Sequence, residues 1–360
     1  MPSRRGFMAR LLASSFGAAV LPQLSWAEAG NPGYLAAARH QDGSYSLSGL
    51  SAQGATLFTI ALPARGHAGA AHPTRAEAVA FARRPGTYGM VIDCARGILR
   101  QELAVPAGNV FNGHGLYLQN GAVLATSEQL GTTSQGIIGL WDVADGYRRI
   151  GEFSSGGIGP HEIRAMPDGQ ILVANGGIAT GGTEGREKLN LGTMRSNLTL
   201  LSKAGEISAR YELPDALRLN SIRHLALRDD GLVGFAMQWQ GDPGAQPLLG
   251  FLRPGAAALE LARASGAHWR AMAGYAGSVA FAGGGDELAI TSPIGGRMQR
   301  FGTDGAFIGV VERARICGLA SLPGGYIMSD GQGGLLALQG GVPVALSLSE
   351  HRWDNHIIRL

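Results

Sequence analysis

Only two cysteines, Cys94 and Cys317, occur in 360 residues, so no disulfide framework or cysteine-rich metal knot can organise this chain. Lysine is scarcer than expected: Lys188 and Lys203 are the only two, and every other basic side chain is arginine. Charged residues make up 16% and aromatics 7%, without the charge blocks of a disordered tail. No stretch holds the ~18 uninterrupted apolar residues of a membrane span. Also missing are a Cys-x-x-Cys-His haem site, a Gly-x-Ser-x-Gly elbow, a His-Glu-x-x-His helix, a dinucleotide fingerprint and the Gly-Lys-Ser/Thr ending of a phosphate loop. Their absence removes most familiar enzyme classes.

The formal charge is +3, and Arg4, Arg5 and Arg10 account for all of it, because the first 27 residues contain no acid. The rest of the chain has no electrostatic footprint for nucleic acid or for an anionic membrane surface. Those first residues read Ser3-Arg4-Arg5-Gly6-Phe7-Met8, then an apolar stretch from Leu11 to Leu24 broken by Gly17 and Pro22, then small residues at Ser25, Ala27 and Ala29. The pattern predicts a twin-arginine export signal over residues 1–27 and a periplasmic single domain over 28–360. That route carries folded proteins, which permits a cofactor loaded before export.

What is abundant is glycine, 57 residues against 16 prolines, and it recurs with a period. One unit, a small or polar residue, an apolar strand and a Gly turn, repeats at His114 to Gly121, His161 to Gly169, His224 to Gly231, Ser278 to Gly285 and Gly318 to Gly325. A longer copy runs from Glu77 to Gly86. Asp-Gly, Asn-Gly and Pro-Gly turns supply the positive φ of tight hairpins. A second strand follows each turn, as at Tyr88 to Ile92 and Ile171 to Ala174, and two more usually follow that. Turn-to-turn spacings of 35 to 62 residues bracket the ~40 to 50-residue blade of a β-propeller. The longest unit carries an insertion from Asn175 to Asn197, expected to be a lid or partner surface. Trp353 to Leu360 begins a copy that Tyr34 to Leu62 would complete. The expectation is an all-β, seven-bladed β-propeller closed by pairing of N- and C-terminal strands.

Counted strictly, the first position of the seven copies is Glu77, His114, His161, His224, Ser278, Gly318 and His356, with His67 and His72 just ahead of the Glu77 strand. Histidines gathered at one channel mouth suit Fe, Cu or Zn, bound by neutral imidazole at ~2.0 Å. The alternative is that they hydrogen-bond neighbouring backbone and hold the blades in register. Around them stand Arg65, Asn112, Glu162, Asn220, Arg223, Asp354 and Asn355. Glu162 or Asp354 could orient a ligand histidine, and Arg65 and Arg223 suit a small anionic metal chelate. Cys317 adjoins the repeat start and is either a soft ligand or a buried structural thiol; its blade is too far from that of Cys94 for a disulfide. A second polar set, Asp93, Glu128, Asn175, Gln238, Ser292 and Asp330, follows the second strands. Glu128, Asn175 and Asp330 would serve a calcium-dependent, lactonase-like hydrolase or a ligand-binding propeller.

The segments Arg65-Gly66-His67, His72-Pro73, Ala82-Arg83-Arg84-Pro85-Gly86, Gly113-His114-Gly115, Pro160-His161-Glu162, Asn175-Gly176-Gly177-Ile178, Lys188-Leu189-Asn190-Leu191, Ser221-Ile222-Arg223-His224-Leu225 and Trp353-Asp354-Asn355-His356 resemble a family of twin-arginine-exported proteins of unknown function. The resemblance covers the mature chain. It implies a periplasmic propeller encoded near imelysin-like and di-haem thiol oxidoreductase-like genes in iron-acquisition clusters, so imelysin-like or haem-containing proteins are the expected partners. The family pattern brings no catalytic residues. Its insertion has a His-Pro near Thr180, where this chain reads Ala179-Thr180-Gly181-Gly182-Thr183. The leading reading is a non-enzymatic binder of iron or copper, with His67, His72, His114, His161, His224 and His356 as ligands, serving acquisition or delivery. The others are the calcium-dependent hydrolase and a docking scaffold for periplasmic proteins.

Overall fold

A computed structural model describes residues 23–83, 86, 88–180 and 187–360. Residues 1–22, which hold the twin-arginine motif, lie outside the described residues, as do Arg84-Pro85 and Gly181-Gly182-Thr183. In chain order the strands are β1 (Tyr34–Arg39), β2 (Tyr45–Leu50) and β3 (Thr56–Leu62); β4 (Gly66–Ala71), β5 (Glu77–Ala82), β6 (Gly89–Asp93) and β7 (Ile98–Leu103); β8 (Asn109–Leu118), β9 (Val123–Leu130), β10 (Gln135–Asp142) and β11 (Arg148–Ile158). They continue as β12 (Pro160–Ala165), β13 (Ile171–Asn175), β14 (Asn197–Leu201) and β15 (Ile207–Glu212); then β16 (Asn220–Leu227), β17 (Val233–Trp239), β18 (Leu249–Leu252) and β19 (Glu260–Leu261). The last are β20 (Ser278–Phe281), β21 (Glu287–Ser292), β22 (Arg297–Gly302) and β23 (Phe307–Glu312); β24 (Ile316–Leu322), β25 (Gly325–Asp330), β26 (Gly334–Gln339) and β27 (Val342–Leu348); and β28 (Arg352–Arg359).

These strands form seven four-stranded antiparallel sheets, six of them consecutive in sequence and the seventh ordered β28-β1-β2-β3. The seven inner strands, β28, β4, β8, β12, β16, β20 and β24, each touch the next, and β24 touches β28, so the ring is complete. The chain is a seven-bladed β-propeller closed by its own two ends, with Tyr34 opposite Arg359 and Arg39 opposite Arg352. Hairpin turns use the predicted glycines: Gly231, between β16 and β17, has φ +89°, a conformation other residues adopt at a cost.

Exposure grades outward. Every residue of β5 and β13 is buried, whereas the outer strands β15 and β27 face solvent along most of their length. Between blades the apolar faces interdigitate: Phe81 of β5 meets Phe111 of β8 at 5.5 Å between ring centroids, and Trp269 stacks on Phe301 at 5.5 Å.

One blade differs from the sequence reading. The Glu77 strand is the second of its sheet, not the innermost, and the run Tyr88 to Ile92 falls on the third strand, β6, which starts at Gly89. The inner strand is β4, Gly-His-Ala-Gly-Ala-Ala, which carries none of the large apolar residues that mark a strand in sequence. Crowding at the axis selects small residues there: a Cβ on Gly69 would stand 2.6 Å from the carbonyl oxygen of Val79. The register position of this blade is therefore His67, and Asp93 ends a third strand.

Closure makes a direct prediction. A chain ending at Glu350 lacks β28 and should lose its cooperative thermal transition by circular dichroism. Val344→Lys on the exposed strand β27 should cost no more than ~0.5 kcal/mol. A truncated chain melting cooperatively at the wild-type midpoint would show that the ring closes without β28.

Candidate metal centre

Five inner strands that follow one another around the ring, β28, β4, β8, β12 and β16, each contribute one histidine: His356, His67, His114, His161 and His224. At or beside each one, pairing with the second strand slips. The breaks fall between Gly66 and Gly69, Phe111 and Gly115, Pro160 and Ile163, Ile222 and His224, and, on the partner of β28, between Ala36 and Ala38. A bulge takes a side chain out of strict alternation and re-aims it; here the bulges serve the bore. β24 slips between Ile316 and Leu319, at Cys317-Gly318, while β20 pairs without a break. In β8 the bulge depends on Gly113, whose φ is +90° and whose added Cβ would stand 2.5 Å from His67 Cδ2.

The five imidazoles pack against one another across the bore, some edge to face, as His67 on His114, and some tilted, with ring centroids from 4.5 Å (His114 and His161) to 6.0 Å (His114 and His224). His67, His114, His161 and His224 are buried, and His356 is half-buried. Each has one buried ring nitrogen with no hydrogen-bond partner among the described residues: Nδ1 of His67, His161 and His224, and Nε2 of His114 and His356. Two trios, His67-His114-His356 and His114-His161-His224, bring their ligand nitrogens within 4.8 Å of one another. Tetrahedral ligands at ~2.0 Å stand roughly 3.3 Å apart, so the nitrogens of either trio would have to draw together by up to about 1.5 Å to share one ion.

Burial disfavours protonation of all five. His114 is pushed down to about 3, and His67, His161 and His356 lie well below the usual imidazole value, burial being reinforced by the neighbouring rings. His224 is lowered by burial against the opposing pull of Glu162, whose Oε2 stands 3.6 Å from His224 Nδ1. Burial pushes Glu162 itself up, but Arg164 at 2.5 Å and the imidazoles outweigh it and keep the carboxyl ionised. Glu162 also accepts from the backbone N–H of Leu225 at 3.0 Å, which ties β12 to β16.

The rings divide the bore. Over them lies a cavity of about 190 Å³ lined by His67, His161 and His224 together with Arg83, Asn112, Arg223, Tyr275 and Asn355, and roofed by Ile178, Thr180 and Lys188 of the insertion. Beneath them a channel of about 620 Å³ opens to the other face, bounded by His114, His356, Glu162 and Arg164. The histidines form a partition inside the bore, deeper than the mouth at which the sequence places them.

Other candidates go elsewhere. His72 follows β4 at its far end; its Nδ1 accepts from the N–H of Thr74 and Arg75, its carbonyl accepts from Trp26, and its ring packs on Tyr117. Cys317 is a buried thiol, raised to about 12 by burial, and contacts the carbonyl of Trp353 at 3.4 Å; neither histidine trio includes it. Cys94 and Cys317 are both free. Arg65 is engaged by Asp354 at 2.6 Å, joining two blades at the rim. The oxygen set does not converge: Glu128 is held by Arg149, Asn175 by Ser155 and Asn197, and Asp330 by Arg313 and the N–H of Gln332 and Gly334. Sequence reasoning missed Arg164, which the i, i+2 spacing from Glu162 along a strand would have placed on the same face. It also missed Tyr275, which reaches the cavity from the loop before β20 and carries no motif.

Among solved structures, 887 chains match this fold, so the likeness alone carries no function. One of them, hydrazine synthase of Kuenenia stuttgartiensis, superposes with a TM-score of 0.60 at 12% identity, covering 88% of this chain and 96% of that one. No curated protein matches the sequence. The family model described as "Protein of unknown function (DUF1513)" matches residues 60–360, and the chain belongs to that family.

Proposed function

We propose that this propeller binds a transition metal through His67, His114, His161, His224 and His356, and that it serves the acquisition or delivery of iron or copper in the periplasm. The observation that carries the reading is the gathering of five buried or half-buried imidazoles, each with a ring nitrogen that makes no hydrogen bond among the described residues, into two trios whose ligand atoms lie within 4.8 Å of one another. A buried polar atom left without a partner costs about 1–3 kcal/mol, and a metal ion satisfies several at once. An all-imidazole donor set suits Cu, Fe or Zn and disfavours Ca and Mg, which take oxygen ligands. Openings on both faces of the partition fit an ion that is taken up and passed on.

Protein stripped on chelating resin and reloaded separately with Fe(II), Cu(II) or Zn(II) should retain close to one ion per chain of at least one of them by elemental analysis. His161→Ala and His224→Ala should each lose it while His72→Ala keeps it. Unchanged stoichiometry in both of the first two variants would remove the reading.

Gly113→Ala should displace His67 and weaken metal binding about 10- to 100-fold, the range for residues that orient a ligand. Its far-ultraviolet circular dichroism should remain native. Equal affinity would mean that His67 is not a ligand.

The buried imidazoles also set a pH signature. They bind protons less readily folded than unfolded, so the unfolded chain gains protons first as pH falls below about 6.5. The metal-free protein should lose stability steadily from pH 6.5 towards pH 4, read as a falling melting temperature. At pH 7 the same nitrogens are already neutral, so metal binding should release almost no protons, and its enthalpy should be the same in buffers of different ionisation enthalpy.

A further inference from the structure

We infer that the cavity over the imidazoles is a binding site for a small hydroxycarboxylate. Three cations, Arg83, Arg223 and Lys188, line it, and no carboxylate does among the described residues. Arg83 is shared with Asp354 at 3.6 Å. Arg223 makes no ion pair among the described residues: its Nε donates to Ser221 Oγ at 2.9 Å, and that hydroxyl donates to the carbonyl of Gly176 at 2.8 Å. The guanidinium is thus held at one corner while its fork remains for a ligand, and the guanidinium fork matches a carboxylate with two parallel hydrogen bonds.

A second residue indicates which anion. Asn112 is 3% exposed, lines the cavity, and has no hydrogen-bond partner for either Nδ2 or Oδ1 among the described residues. Nδ2 needs an acceptor and Oδ1 needs a donor, so a plain carboxylate would satisfy only half of this side chain. A ligand carrying a hydroxyl beside its carboxylate satisfies both. Tyr275 accepts from Asn355 Nδ2 at 3.0 Å, which leaves its own hydroxyl proton to donate to an anion. His67, His161 and His224 form the floor, so the ligand would lie against the face of the proposed metal. This deepens the metal reading by naming the ion's co-ligand, and it rests on that reading only for the anion's role.

The test uses the full protein freed of metal on chelating resin, since soluble polycarboxylate chelators would compete, and titrates malate, succinate, phosphate and bicarbonate by calorimetry. Malate should bind, with succinate, which lacks the hydroxyl, at least tenfold weaker. Arg223→Gln should weaken malate at least tenfold with an unchanged melting profile, and Arg223→Lys should fall between. Asn112→Leu should abolish the preference for malate over succinate. Failure of all four anions to bind both metal-free and zinc-loaded protein, an Arg223→Gln variant with wild-type malate affinity, or tighter binding of phosphate or bicarbonate than of malate would overturn the inference. Malate binding retained in a His161→Ala variant that has lost metal would separate the two sites.

Discussion

A ring of seven twisted sheets leaves an axial bore that no backbone can fill, and the contents of that bore govern the rest of this molecule. Five consecutive blades answer with imidazole, and each reaches the axis through a slip in strand pairing. The other two present Ser278 on an unbroken strand and Cys317-Gly318 in a bulge. Because the bulges do the aiming, the inner strands give up ladder hydrogen bonds and small residues crowd around them. Gly113 is the clearest case, since the van der Waals space of His67 begins where its Cβ would be.

Filling a bore with histidine is an uneconomical way to stabilise a fold. Leucine or phenylalanine would bury more apolar surface and leave nothing unsatisfied. Four ring nitrogens without a partner among the described residues, at about 1–3 kcal/mol each, are comparable with the whole ~5–15 kcal/mol stability of a typical domain; the fifth, His224 Nδ1, has only Glu162 at 3.6 Å. Outside the bore, two histidines are satisfied, whereas His351, packed on His40 and Trp353, also has an Nδ1 without a hydrogen-bond partner among the described residues. His72 has its Nδ1 occupied by two backbone N–H groups, and His40 meets Ser46 Oγ at 2.8 Å. What sets the partition apart is that five such rings gather against one another in one bore, and this supports reading it as a ligand set.

The repeat, the blade count and the closure by both termini were legible because hairpin glycines and alternating strands leave a periodic trace. So were four histidines of the five at the repeat's first position. His67 was one strand away from its correct assignment because β4 is made of glycine and alanine, which carry no periodic apolar signal. The bulges were not legible at all, since a slipped register has no residue signature of its own, and without them neither the depth of the partition nor its two faces could be placed. Asp93, Glu128, Asn175 and Asp330 look in sequence like an oxygen ring. Their side chains are instead taken up by arginine, serine, threonine, asparagine and backbone partners that a linear reading cannot pair with them.

Electrostatics ties the two proposals together. Glu162 stands 3.6 Å from the His224 ring, and Arg164 already neutralises it. Above the rings stand Arg83, Arg223 and Lys188. A divalent ion held by neutral imidazoles in this setting adds positive charge to a buried and already positive region, where charges are poorly screened. Such an ion is stabilised when an anion enters with it, and an anion over the partition is stabilised in turn by the ion beneath. The linkage is reciprocal: metal and hydroxycarboxylate should each raise the affinity of the other, so that the protein takes up the pair more readily than either component. A propeller built this way would discriminate by the chemistry of the complex, with imidazole reading the metal and the guanidinium fork and Asn112 reading what the metal carries.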